Sequence, residues 1–433
     1  MDILWIALCV ILLAVLSYKG LHIILASMFS AALLCILLRL NVYDCIMKTM
    51  MPGMGNFVAS YLPMFLLGAL LSRLMEISGA TESIANILCN TFGTKYVMIA
   101  LCLLGSVLTI GGISMYVAFF ACTPIAISML RRADLPRRLW IGAWTAGTCT
   151  YAMTGPFAPT MQNAVGVKLL GTTISAGWQV GLIGWIPFAI VILVHEYRSG
   201  MRAKKRGEHF VPRPEELAAQ TEAEKNLPHW VLPCIPIAVL FILTNAFRFD
   251  IETGMLCSLI LCVICLWKYL PHDQKALSDA VGVSFQNAGL SIINPAIIVG
   301  FASLVTSTPV FENLSQTVAA LKWDPFLTAA GFAGITACLS GSCMAGLNVT
   351  FETCMKMFQN TGINLETLHR VATMGAGTID SLPHCGAING YAAVTKEKIR
   401  DIYGDVFFCS VLCPIGATLL AIAAAYLLGY AYL

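Results

Sequence analysis

The sequence predicts an all-α integral membrane protein built of two inverted repeats, each of about five spans with a re-entrant hairpin and a broken helix. Composition carries the first half of that expectation. Of 433 residues, 58% are hydrophobic and 11% charged, and mean hydropathy is +0.79; soluble domains run at roughly 45–50% apolar and about 25% charged. Recurrence carries the second half. Gly68 answers to Gly300, the stretch GGIS (Gly111 to Ser114) to SGSC (Ser340 to Cys343), and Ala146-Gly147-Thr148 to Ala376-Gly377-Thr378, each pair about 230 residues apart. Apolar stretches resemble one another by chance. Gly- and Pro-containing interruptions at matched places in two halves are more telling, and they point to a transporter with its site between the repeats.

A span takes about 20 apolar residues. Charge-poor runs at 3–17, 21–38, 57–72 and 177–194 supply candidates in the first half, and 231–247, 253–267, 291–307 and 405–430 in the second. The other apolar stretches, 96–130, 139–170, 325–359 and 366–395, are cut by Gly, Pro or polar clusters. The first and third of these are expected to be re-entrant hairpins with tips at 111–114 and 340–343, and the others broken helices. Five true crossings then remain in each half, and an odd number inverts the second half against the first. With RSGMRAKKR (Arg198 to Arg206) placed in the cytoplasm, nineteen Lys and Arg residues fall inside and seven outside, Arg370 among the seven. That distribution agrees with the positive-inside tendency and leaves both termini external. Residues 196–229 combine the basic run with Pro212, Pro214, Glu215, Glu216, Glu222 and Glu224, and are expected to form a cytoplasmic linker between a first membrane repeat at 1–195 and a second at 230–433. Met1-Asp2-Ile3 has no basic n-region, so the first span is expected to be retained.

Several chemistries find no support. Cys262-x-x-Cys265 and Cys409-x3-Cys413 lie inside the apolar runs LILCVICLW and FFCSVLCPIG, without a His or Asp to complete a metal site. The seventeen cysteines are expected to pack as small apolar residues, with no disulfide framework. A membrane enzyme would need a metal-spaced cluster, a nucleophile elbow or a phosphate loop, and none is found; no cofactor and no nucleic-acid partner is expected.

Chemistry is expected instead at the four interruptions: TIGGISMY, TGPFAPTMQN, LSGSCMAGLN and DSLPHCGAING. A helix stopped within a membrane leaves backbone N–H groups without intrahelical partners, which protein, water or ligand must satisfy. Its N-terminus also carries a partial positive charge that suits a carboxylate. The four segments contain no basic residue except His384. An anion would therefore be held by dipoles and neutral donors, for which the candidates are Gly112, Ser114, Thr154, Gln162, Asn163, Ser340, Ser342, Asn348, Ser381 and Asn389. Asp380 and His384 are the candidates for ion coupling, because ionisable groups at membrane depth are costly and default to function. His369, beside Arg370 at an expected external helix end, reads as an interface residue, and Glu76 as reaching the cytoplasmic interface.

The stretch GTIDSLPHCGAING, followed by KEKIR, resembles the GSG-x-DSLPHNGA signature of the gluconate permease (GntP-type) family, with Cys385 standing where that signature has Asn. MFLLGALLSRLMEISGATESIA (Met64 to Ala85) resembles the same family's first-repeat segment. The resemblance covers almost the whole chain apart from 196–229. It implies membership of the ion transporter superfamily, whose members share inverted repeats, are commonly homodimers and move substrate by an elevator motion. The expected function is secondary transport of a small hydroxy or keto monocarboxylate across the inner (plasma) membrane. Coupling to H+ is expected on the resemblance, with Na+ the other candidate ion. A Na+-coupled di- or tricarboxylate transporter and a cation/proton antiporter of the same superfamily are the alternatives.

Overall fold

The structure, a computed structural model, describes residues 2–110, 115–153, 155–158, 160–213, 227–245, 247, 249–310, 323–340, 343–358 and 361–432. These residues are helical with no named strand, the one β-bridge joining Ile363 to Tyr432. Among them, five helices are long and apolar enough to cross a membrane: Val42–Ile77, Trp178–Lys205, Glu252–Tyr269, Leu277–Thr306 and Ile399–Leu427. The chain is thus an all-α membrane protein. Ala80–Phe92 and Thr94–Ile110 form a further apolar pair bent by 99° at a short break, where Gly93 takes a positive φ of 75°. The first long helix starts fifteen residues before the apolar run at 57, because Val42–Met50 carries Asp44 and Lys48, ion-paired at 2.8 Å across one turn, and hydropathy alone does not register it.

The described chain divides into two compact units, each drawing on both sequence halves. One comprises Ser60–Thr148 and Leu193–Ile292. Its centre is aromatic: Phe119 stacks on Trp140 at 5.7 Å and 8°, Trp144 closes on both, and Trp140 donates its indole N–H to Thr123 Oγ1 at 3.0 Å. Such pairs are worth about 0.5–1.5 kcal/mol beyond the area they bury. Glu82 receives both Arg131 and Arg132, while Glu76 is paired within its own helix by Arg73 at 2.8 Å. The described ends of the 196–229 segment are docked on this unit. Arg138 grips Glu208, Asp134 accepts from Phe210 N at 3.0 Å and pairs with His209 at 2.6 Å, Arg137 lies over the Phe210 ring, and Ser83 donates to Pro228 O.

The other unit comprises Met1–Ala59, Cys149–Ile192 and Ile293–Leu433. One of its cores gathers Ile6, Leu13, Leu34, Met50, Ile297 and Phe301, and another gathers Phe326, Leu347, Phe351, Leu368 and Val371. In a bilayer such burial gains close packing rather than escape from water, so small residues set how near two helices come. Gly53 and Gly300 meet there. A Cβ on Gly53 would overlap the Ser303 side chain, and one on Gly300 would sit 2.6 Å from Met50 O. All seventeen cysteines are free thiols, thirteen of them buried across the two units.

Candidate functional site

The second interruption is fully described. The Leu365–Ala376 helix, capped by the Asn364 side chain, stops in a run of turns at 377–385, and helix resumes at Gly386–Thr395. Pro383 is the physical reason: it has no N–H to give and its ring excludes the preceding turn. Asn389 closes the gap. Its amide donates to Pro383 O at 2.8 Å and Cys385 O at 2.9 Å, and Ser17 Oγ reaches the same Pro383 carbonyl at 3.1 Å. Inside the turns, Ser381 donates to Asp380 Oδ1 at 3.0 Å. His384 lies 3.1 Å from Cys338 O, the carbonyl of a residue two positions before the second tip. A carbonyl only accepts, so Nε2 carries the hydrogen, and Nδ1 is a bare acceptor with no partner among the described residues. Ser381 and His384 are buried, whereas Asp380 is partly exposed. Asp380 and His384 thus bond to different groups rather than to each other.

The first interruption is built on the same plan from different parts. A π-helical turn at Ala146–Ala152 ends the incoming helix, Gly155 N closes on Tyr151 O, and Tyr151 is held by Ala189 O and the Trp185 ring. Helix resumes at Met161–Leu170, capped by Thr160, whose hydroxyl accepts from Asn163 N at 3.4 Å. Asn163 plays the part of Asn389, donating to Ala158 O at 2.8 Å across the gap. Its carbonyl oxygen is taken by Arg370 Nη1 at 3.0 Å. The same guanidinium donates to Gly155 O at 3.4 Å, Ala176 O at 3.0 Å and Ile174 O at 2.9 Å.

This corrects the placement of Arg370 and His369 expected from the sequence. Neither is at an external helix end: both have 0% of their surface exposed. His369 shares Thr172 Oγ1 at 2.7 Å and lays its ring against Gly166, where any Cβ would overlap it; its Nε2 has no partner among the described residues. The physical reason is the helix register. Arg370 stands six residues inside the Asn364 cap, about 9 Å along the axis at 1.5 Å per residue, too deep to be an end residue. An arginine more than a turn inside the helix LETLHRVATMGA was the signal available. It lies outside the four interruptions, and its partners are some 200 positions away in sequence.

Of the remaining candidates, Gln162 is half-buried and Ser340 buried on the described stem of the second hairpin. Asn348 is exposed and spends its amide on Met344 O at 2.9 Å, one turn back. Gly112, Ser114, Thr154 and Ser342 lie outside the described residues, as do the whole of the first tip, 111–114, and positions 341–342 of the second. Among the described residues no group of three His, Cys, Asp or Glu side chains could hold a metal ion.

A family model for the GntP family permeases matches residues 1–386. The uncharacterized transporter YxjC of Bacillus subtilis (strain 168) is 27% identical, over 95% of this chain and 96% of its own. The high-affinity gluconate transporter of Escherichia coli (strain K12) is 24% identical over 74% of this chain and 73% of its own. Among solved structures, the antimetabolite efflux pump MtrF of Neisseria gonorrhoeae matches 87% of this chain and 83% of its own at 14% identity, with a TM-score of 0.39.

Proposed function

This chain belongs to the GntP permease family, and from that premise we propose that it is a secondary active transporter of a small hydroxy or keto monocarboxylate, driven by H+ symport. It is a transporter and not an enzyme. The observation that carries the choice of an anion is Arg370: a fully buried guanidinium bonded to three carbonyls and an amide, with no carboxylate among its partners in the described residues. A cation held that way leaves positive potential beside a helix break, and a carboxylate is its natural complement. The E. coli relative transports gluconate, a polyhydroxy monocarboxylate, which fits a site of one fixed charge and several neutral donors. Gly112, Ser114, Thr154, Gln162, Ser340, Ser342 and Asn348 remain the proposed neutral donors, with Ser342 the one most worth replacing.

The proton is assigned to Asp380. His384 is wholly buried with its Nε2–H pinned to Cys338 O, which suits fixing the break, whereas Asp380 is partly exposed and carries a carboxylate beside the same half-helix. A proton taken up there lets an anion enter without net charge.

The order of helices supports a repeat of 1–195 and 230–433 about the 196–229 linker. Val42–Ile77 and Leu277–Thr306 carry Pro63 and Pro295 five residues before Gly68 and Gly300; hairpin stems and broken helices follow each in the same order; and Asn163 and Asn389 bridge the two gaps alike. Inversion of the second repeat, an elevator movement, a homodimer and an inner-membrane address complete the proposal and rest on the family resemblance. Uptake of labelled gluconate and shorter hydroxy acids into proteoliposomes under imposed pH or Na+ gradients is the test. Stimulation by an acidic exterior is expected; uptake driven by Na+ alone overturns the coupling, and no uptake of any carboxylate overturns the substrate class.

A further inference from the structure

We infer that Arg370 and Asn163 form the charged end of the substrate site: the guanidinium holds the first break in shape and its uncompensated charge attracts the carboxylate, with no direct fork to it. The inference rests on the anion reading above and deepens it by naming the residues that select for negative charge.

The geometry fixes the form of the interaction. Of five N–H donors, Nε is spent on Ala176 O, both hydrogens of Nη1 on Asn163 Oδ1 and Gly155 O, and one of Nη2 on Ile174 O. Among the described residues one donor remains, too few for a bidentate grip. What remains in full is the charge, for carbonyl dipoles solvate a guanidinium but do not neutralise it. Two features bring that charge to the break. Asn163 is the third residue of the Met161–Leu170 half-helix, whose first-turn N–H groups lack intrahelical partners, and both the guanidinium and this N-terminus favour an anion. Gly155 O, held by Nη1 at 3.4 Å, belongs to the loop of the same break. A unit charge about 8 Å away at an effective dielectric of about 20 changes anion affinity roughly thirty-fold.

A purely structural clamp would have the same bonds, so the test must separate charge from fork. Asn163→Asp places a carboxylate on the guanidinium. It strengthens the bond to Arg370 and cancels the charge, and it gives up the amide's own bond to Ala158 O. Arg370→Lys keeps the charge while losing the fork, and Arg370→Gln loses both. The readout is the half-saturating concentration at which potassium gluconate protects the purified full-length protein from thermal unfolding, with glucitol, the neutral polyol of the same skeleton, as the control. We expect gluconate but not glucitol to protect the wild type. Half-saturation should rise at least ten-fold in Asn163→Asp and Arg370→Gln, and by less than about three-fold in Arg370→Lys. Equal protection by glucitol, no protection by gluconate, an unchanged value in Asn163→Asp, or a loss in Arg370→Lys as large as in Arg370→Gln would each overturn the inference. Should Asn163→Asp and Arg370→Gln not fold, Arg370→Lys decides by itself: a rise below about three-fold upholds the inference and a larger one overturns it. Transport is scored separately. Charge-dependent protection without uptake leaves the inference standing and removes the transport reading, and uptake indifferent to all three variants does the reverse.

Discussion

The two helix breaks use one joint and opposite charges. In each, an asparagine at the start of the outgoing half-helix reaches back to a carbonyl of the gap: Asn163 to Ala158 O, Asn389 to Pro383 O. The first joint is then seized by a cation, Arg370, arriving from the second half of the chain. The second is braced by neutral groups, Ser17 and the Cys338 carbonyl, and carries instead a carboxylate, Asp380. The difference teaches how one motif used twice can carry opposite charges; in the function proposed above, the positive break takes the anion and the acidic break the proton.

The comparison can be broken by weakening the two joints in parallel. Asn163→Ala removes a bond to a charged group and should cost about 1.5–3 kcal/mol, whereas Asn389→Ala loses neutral bonds worth about 0.5–1.5 kcal/mol each. Melting of the detergent-solubilised variants would show it, and a larger loss for Asn389→Ala would contradict the account of the first joint. His384→Gln comes next. A glutamine amide can still donate to Cys338 O, so stability should fall by under about 1 kcal/mol and pH-driven uptake should persist at a reduced rate. Abolition of the pH drive in this variant alone would move the proton from Asp380 to His384.

The smallest effect lies outside the membrane, where the linker meets the loop after the first hairpin. The hydrogen bond from His209, then that from Phe210 N, holds Asp134 below its ordinary value near 3.8. A carboxylate with a depressed folded value contributes stability that is present above the ordinary value and lost as pH falls through the folded one. Acidification below about pH 4 should therefore raise hydrogen exchange at 207–211, relative to the intrinsic amide rate at each pH, in the wild type. Asp134→Asn should show that raised exchange already at pH 7 and little further change.

Much of this architecture was legible in the sequence. The charge-poor runs located long helices, and the Gly- and Pro-rich strings TGPFAPTMQN and DSLPHCGAING located both breaks, because proline and turn chemistry act locally. Asn163, Ser381, Asn389, Asp380 and His384 were named from the same strings. What they bond to was not legible. Asn163 and Asn389 hold their own gaps before any substrate arrives, and that follows from geometry rather than composition. Arg370 escaped because topology counting assigns every Arg to a side of the membrane, and a buried one defeats the count. Its acceptors lie at positions 155, 163, 174 and 176, a pairing that no periodicity within either segment encodes.

The division of labour is tested most directly by measuring, in the same proteoliposomes, pH-gradient-driven uptake of labelled gluconate and its counterflow, which needs no net proton movement, for wild type and Asp380→Asn. The variant is expected to lose the response to the gradient and keep counterflow within about three-fold, since one carboxyl's proton is removed and the anion end is untouched. A variant that still responds fully to the pH gradient, or one that loses counterflow along with it, would contradict the assignment of the proton to the second break.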